Sequence, residues 1–421
     1  MTFDVRMKGF KELISLNEAL NLILTKIPFD SIEHESLDIR QSLGRILAED
    51  VIAPIDVPPF DRSAVDGFAV RSEDIRGAST KNPVILRIKG SVYAGHSSEY
   101  EIGPLECVYI TTGAPIPKGA DAVVMIENTK QMGDQVEIYS PISKYGNVSL
   151  KGEDIKKGSA VLKKGHRIRP VDIGVLASLN ICTVNVKKRP KVVIFTSGEE
   201  LVEPCSTLPP GKIVETHLLM FSKYLELLGV EPISLGIIPD DESKIVDVLK
   251  TSLQKADLII TTGGSSVGKH DLTLSAIKTL ENSEIVFHGV GIQPGKPTLF
   301  AMVDDKPILG LPGFPVSSFF AFIYFVKTAI LHMLGVRTIH RRYTYATLTR
   351  RVSSKLGIVT LVRVKLIDRD GELFAEPIRA GGSTVLTSIS GADGYFEIPE
   401  DMEGFEKGTR VKVYYFDDVL R

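Results

Sequence analysis

KVVIFTSGEEL, residues 191–201, is an apolar run that ends abruptly in small and acidic residues, and the chain repeats that design downstream. Extended runs EPISLGIIP (231–239) and DLIITTGG (257–264) alternate with helical runs HLLMFSKYLELLG (217–229), ESKIVDVLKTSLQ (242–254) and DLTLSAIKTLE (271–281). Strand and helix in alternation predict a doubly wound, mostly parallel sheet over residues 190–337. Ligands of such sheets bind beyond the carboxyl ends of the strands, so the residues just after each strand are the candidates for chemistry.

Those residues are Thr196-Ser197-Gly198-Glu199-Glu200, then Pro239-Asp240-Asp241, then the run from Gly263 and Gly264 through Ser265, Ser266, Val267 and Gly268 to Lys269-His270-Asp271. Gln293-Pro294-Gly295-Lys296-Pro297 and Leu311-Pro312-Gly313-Phe314-Pro315-Val316-Ser317-Ser318 complete the set. Glycine and serine let backbone N–H groups approach phosphate oxygens, and a following helix N-terminus favours negative charge. The carboxylates Glu199 or Glu200, Asp240, Asp241 and Asp271 would repel a phosphate unless a hard divalent cation such as Mg²⁺ lay between them. Asp240-Asp241 also suits a helix cap, and capping does not exclude metal binding. Gly263 to Lys269 approaches a phosphate-binding P-loop, but His270 stands where the metal-ligating Ser or Thr would be.

Upstream, Ser15-Leu16-Asn17-Glu18 opens a helix that runs to about Ile27, and Leu43, Ile46 and Leu47 predict a second helix over Gln41 to Glu49. Residues 51–150 are short β-rich runs cut by Pro and Gly and form a β-rich insert. A helix at Val171 to Leu179 and a strand at Cys182 to Val186 complete the segment that the insert interrupts. Residues 338–421 alternate polar and apolar side chains, and Asp370-Gly371 suits a tight hairpin, so a small β barrel or sandwich is expected.

Composition narrows the functional classes. Fifty Lys and Arg nearly cancel 52 Asp and Glu, so no overall field marks a nucleic-acid or anionic-membrane binder. The Lys-rich stretch 151–169 reads as a solvated face. Three scattered cysteines, Cys107, Cys182 and Cys205, support neither a disulfide scaffold nor a zinc site. The most apolar run, Phe319 to Leu334, is short and carries Lys327 and His332, which fits a buried helix rather than a membrane span, and cytoplasm is the expected location.

Two segments of the insert are by themselves ordinary loops: PPFDRSAVDGFAV (58–70) and TTGAPIPKGADAVV (111–124). With FTSGEEL, TTGGSSVGKHD, QPGKP and GLPGFPVSS, and in that order, they resemble the MoeA family of molybdopterin molybdenumtransferases, which includes the E domain of gephyrin. The resemblance spans essentially the whole chain. It implies a multidomain α/β plus β fold with an elongated linking domain (1–50 and 151–189), the β-rich insert (51–150), a molybdopterin-binding α/β domain (190–337) and a C-terminal β barrel (338–421). It also implies a homodimer with shared active sites and an upstream partner enzyme of the molybdopterin adenylyltransferase type. The implied reaction moves molybdenum from molybdate onto adenylyl-molybdopterin, with Mg²⁺-dependent adenylate cleavage and release of AMP.

Residue by residue, the resemblance assigns catalysis to Asp66, Thr112, Glu200, Asp271 and Lys296. Glu200, Asp240 or Asp241, and Asp271 match the family's acidic, metal-binding positions, and Arg363 and Ser383 match barrel positions; the strand-end reading adds Thr196, Ser197, Gly198, Gly263, Gly264, Ser265, Ser266, Gly268, Pro312, Gly313 and Ser317 as substrate-binding positions. Gln293 stands where some relatives carry lysine and Phe314 where asparagine is usual, which leaves molybdate or tungstate as the metal source. A pterin-binding scaffold without turnover and a nucleotide pyrophosphate hydrolase sharing only the α/β unit are the competing readings.

Overall fold

A computed structural model describes residues 13–263, 272–338, 341–378 and 383–416. These residues form two compact units, one of Ser36–Leu43 with Glu49–Asn185 and the other of the remaining described residues.

In the second unit the chain enters as helix α1 (Leu16–Lys26), where the Ser15 hydroxyl accepts the Glu18 N–H as the sequence predicts. The helix expected over Gln41 to Glu49 does not form. Only Ile39–Gln41 winds, as a 3₁₀ turn, and Gly44 then takes a φ of 75° that ends any helix. Ile46 and Leu47 are instead both buried in extended backbone, with Leu47 bridged to Val186 and the Ile46 carbonyl accepting the Lys187 N–H. Spacing that mimics one helical face was burial on both sides of an extended segment.

The other unit is built on six strands: β1 (Gly67–Val70), β2 (Val84–Val92), β3 (Glu106–Ile110), β4 (Ala122–Met125), β5 (Thr129–Met132) and β6 (Gln135–Ile138). They pair in the order β4-β1-β3-β2-β6-β5. All four residues of β1 are buried, which leaves the loops before β1 and after β3 to present polar groups. Helix α2 (Pro170–Ser178) starts with a proline at its first turn, where the missing N–H costs nothing.

The α/β sheet of the second unit contains β7 (Lys191–Ser197), β8 (Glu231–Ile238), β9 (Leu258–Thr262), β10 (Ser283–His288), β12 (Leu299–Val303) and β13 (Lys306–Leu311), with the short strand β11 (Ile292–Gln293) leaving it. The order is β8-β7-β9-β13-β12-β10, with β12 running antiparallel to the other five strands. Both faces are covered, which is why the strands read as continuous apolar runs. Val192, Ile194, Leu258 and Ile260 pack toward α3 (His217–Leu227) and α6 (Pro315–Met333), whereas Val193, Phe195 and Ile259 pack toward α4 (Glu242–Leu253) and α5 (Leu272–Lys278). Helix α6 is the one helix among the described residues long and apolar enough to cross a membrane, but 89% of its window is buried in the core, where Phe322 stacks on Phe221 at 4.9 Å.

Strands β14 (Tyr343–Leu348), β15 (Val359–Arg369), β16 (Glu372–Pro377), β17 (Gly394–Ile398) and β18 (Arg410–Tyr415) close into a barrel, because β15 pairs with both β16 and β17. The β15–β16 turn is Asp370-Gly371, with φ of 54° and 85°, the two positive values of a type I′ hairpin. β11 pairs parallel with the start of β15 and so joins the α/β sheet to the barrel. Gly371→Val should destabilise the chain by about 1–2 kcal/mol through forced left-handed backbone. A lower urea midpoint is expected, and an unchanged one would contradict the turn assignment.

Candidate functional site

β8 lies on one side of β7 and β9 on the other, so the winding reverses at the carboxyl ends of β7 and β9. That crevice is where doubly wound sheets hold ligands. Gly263, at the end of β9, has a φ of 82°, and a Cβ there would sit 2.3 Å from the Ser197 carbonyl oxygen at the end of β7. Only glycine fits so close to a neighbouring backbone. A Cβ on Gly313, after β13, would be 3.6 Å from the Gly263 Cα, so three strand ends converge. Above them opens a cavity of about 1470 Å³, walled on the far side by Thr360, Leu361, Val362 and Arg363 of β15 and by Ile378, Ser383 and Thr384.

Of the residues expected from the sequence, the cavity gathers Thr196, Ser197, Gly198, Glu200, Asp240, Gly263, Lys296, Pro312, Gly313, Ser317, Arg363 and Ser383. Arg363 is only 7% exposed, and its Nε and Nη1 have no hydrogen-bond partner among the described residues. Burial alone pulls its guanidinium pKa down. The buried Ser197 hydroxyl is likewise without a partner among the described residues. Stranded buried donors cost free energy, and these face a cavity in which a ligand acceptor could meet them. The start of α6 is fixed to the barrel by a bond from the Val316 N–H to the Ser383 carbonyl at 3.1 Å.

The acidic residues divide. Asp240 Oδ2 accepts the Glu199 N–H at 3.1 Å, and the Glu200 carboxylate lies against Gly198, so two exposed carboxylates flank one turn of the cavity wall. Oxygen donors of this kind fit Mg²⁺. Asp241 is not on the wall. It caps α4, accepting from Ser243 N at 2.9 Å, Ser243 Oγ at 2.6 Å and Lys244 N at 3.4 Å, and the Ser243 hydroxyl is the main reason its pKa is lowered. No group of three metal-binding side chains occurs among the described residues. Asp271, with Gly264, Ser265, Ser266, Gly268 and the P-loop-like Lys269-His270, lies outside the described residues.

In the unit built on β1 to β6, Asp66 Oδ1 accepts both the Thr112 N–H at 2.6 Å and the Thr112 hydroxyl at 2.9 Å. The backbone bond from Thr112, then its hydroxyl, lowers the Asp66 pKa and keeps an exposed carboxylate charged. The two insert loops therefore meet in one polar pair.

Three consecutive family profiles match the chain: "MoeA N-terminal region (domain I and II)" over 14–180, "Probable molybdopterin binding domain" over 193–332 and "MoeA C-terminal region (domain IV)" over 345–416. The molybdopterin molybdenumtransferase of Staphylococcus aureus is 36% identical over 400 residues, covering 95% of each chain. The chain belongs to the MoeA family. The Bacillus subtilis molybdopterin molybdenumtransferase is 37% identical over 385 residues, 90% of this chain and 89% of that one. Among solved structures, the molybdopterin biosynthesis MoeA protein of Pyrococcus horikoshii OT3 superposes with a TM-score of 0.84 at 35% identity, over 96% of this chain and all of that one. The MoeA fold, an α/β domain with a closed barrel and an N-terminal region of two domains, is thus the fold of this chain.

The MoeA cavity also has a wall that the sequence reading passed over, formed by Glu215, Thr216 and His217 at the start of α3. The only signal was a Glu-Thr-His run ahead of an apolar helix, which reads as capping and nothing more. His217 is 6% exposed, and burial holds its pKa at about 4, below the 6.5 of a free imidazole. A depressed folded-state pKa gives stability that is complete above pH 6.5 and drains away as the pH falls toward 4. The share is about 3 kcal/mol at most. His217→Gln should flatten the fall in thermal midpoint between pH 6.5 and 4, and an identical fall in both proteins would refute the assignment.

Proposed function

We propose that this chain, a transferase of molybdenum cofactor biosynthesis, uses the cavity between the α/β sheet and the barrel to bind adenylyl-molybdopterin and molybdate, cleaving the adenylate as molybdenum enters the dithiolene. The observation that carries this reading is Arg363, a buried guanidinium on the cavity wall whose Nε and Nη1 have no partner among the described residues. It would hold an oxyanion, with Ser383 beside it on the same wall and Ser197 on the facing one. Lys296, from QPGKP, would offset charge as AMP leaves, and the backbone around Gly198, Gly263 and Gly313 would lie against phosphate oxygens.

Glu200 and Asp240, joined by Asp271, would hold Mg²⁺, and Asp241 would support them by fixing the start of α4. The cation, when bound, would neutralise the pyrophosphate oxygens. Asp66, oriented by Thr112, would act from the insert of the partner subunit, so the enzyme would work as a homodimer in the cytoplasm and receive its substrate from an adenylyltransferase.

Purified protein mixed with adenylyl-molybdopterin, molybdate and Mg²⁺ should release AMP, and adding a chelator should stop it. Arg363→Met should lower kcat/KM by about 10²-fold, the usual cost of losing a pre-placed donor to developing charge. Absence of AMP release from the folded wild-type protein would sink the reading.

A further inference from the structure

Glu215 is an unusual residue for an oxyanion-binding cavity. It is 3% exposed, lines the same cavity as Arg363, and has no cationic partner among the described residues. Its carboxylate is held by backbone alone. Oε1 accepts the His217 N–H at 2.6 Å and the Leu218 N–H at 3.1 Å, and Oε2 shares the Leu218 N–H at 3.1 Å. A carboxylate has about four acceptor positions, so capacity remains, chiefly on Oε2.

Two features decide what would fill it. Glu215 is a buried, acceptor-only carboxylate, and such a group disfavours a bare oxyanion beside it. A donor-rich, uncharged group is favoured instead. His217 supports this: neither ring nitrogen has a hydrogen-bond partner among the described residues, and its ring packs against Phe221 at 5.7 Å. Burial keeps that imidazole neutral at physiological pH, so it offers one donor and one acceptor without adding charge. Burial also pushes the Glu215 pKa up, against the backbone N–H groups that lower it.

Resting on the reading that this cavity takes a pterin-bearing substrate, we propose that Glu215 recognises the 2-amino and N3–H edge of the pterin, with His217 beside it hydrogen-bonding the same ring. The two N–H groups of that edge point the same way, as in a guanidinium, and match a carboxylate in a bidentate pair. Within the cavity Arg363 then takes an oxyanion and Glu215 the heterocycle. Glu215 becomes a specificity residue, selecting pterin over bicyclic rings that present an oxygen at that edge.

The test is a fluorescence titration of the full-length protein with free pterin and with lumazine, which replaces the 2-amino group with a carbonyl. Wild type should bind pterin at least about tenfold more tightly, the worth of one charge-assisted hydrogen bond. Glu215→Gln keeps an oxygen for the α3 backbone but loses the charge, and should bring the ratio close to one with little change in thermal midpoint. Equal wild-type affinities, or a ratio untouched by Glu215→Gln, would overturn the assignment. Equal affinities alongside normal AMP release would leave the proposed reaction standing and remove only this inference. Failure of wild type to bind either pteridine would also overturn the assignment, whereas absence of AMP release would overturn the reaction on which it rests.

Discussion

Two residues of parallel pairing hold the site together. Ile292 and Gln293 leave the α/β sheet and align with Val359 and Thr360 at the start of the longest barrel strand, and the Val359 N–H donates to the Gly291 carbonyl at 2.8 Å. The pairing fixes QPGKP, and so Lys296, against the barrel. It also sets which way β15 presents its side chains, because residues two apart share a face. Leu361 and Arg363 follow Val359 on that face, and both reach the cavity. A slip of one residue would turn Arg363 away.

The price of this arrangement is visible in the core. Among the described residues the Arg363 guanidinium has two unanswered donor nitrogens and the Glu215 carboxylate no cation, and both cost folding free energy, since each gives up water without full replacement. Large apolar layers on both faces of the sheet make that tolerable, above all the aromatic packing of α6 against α3. The Arg363 guanidinium stands on the barrel wall, apart from the carboxylates of the α/β loops. Paired, they would satisfy each other. Apart, each remains able to bind a ligand.

Much of this was legible in the sequence because it is local. Apolar strand runs, amphipathic helices and small residues at strand ends all follow from neighbouring residues, and Asp370-Gly371 declares its turn outright. What the sequence hid depends on partners far along the chain. Gln41 to Glu49 looked helical until Gly44 bent it and Val186 paired with Leu47. Arg363 was one arginine in an alternating strand, and only the closed barrel and the β11 pairing show that its donors are stranded. Glu215 and His217 were indistinguishable from an ordinary helix start until the cavity opened beside them. Asp240 and Asp241, equivalent as a pair of letters, separate into a cavity residue and a helix cap because only one can precede the first turn of α4.

The central claim is that the barrel wall at Arg363 is an oxyanion site made by docking the barrel on the α/β sheet. Crystals soaked with tungstate, a heavy mimic of molybdate, test it directly through the anomalous scattering of tungsten. The account predicts a peak within hydrogen-bonding distance of the Arg363 guanidinium, whereas a cavity without tungsten, or a peak only among the carboxylates of the opposite wall, would contradict it.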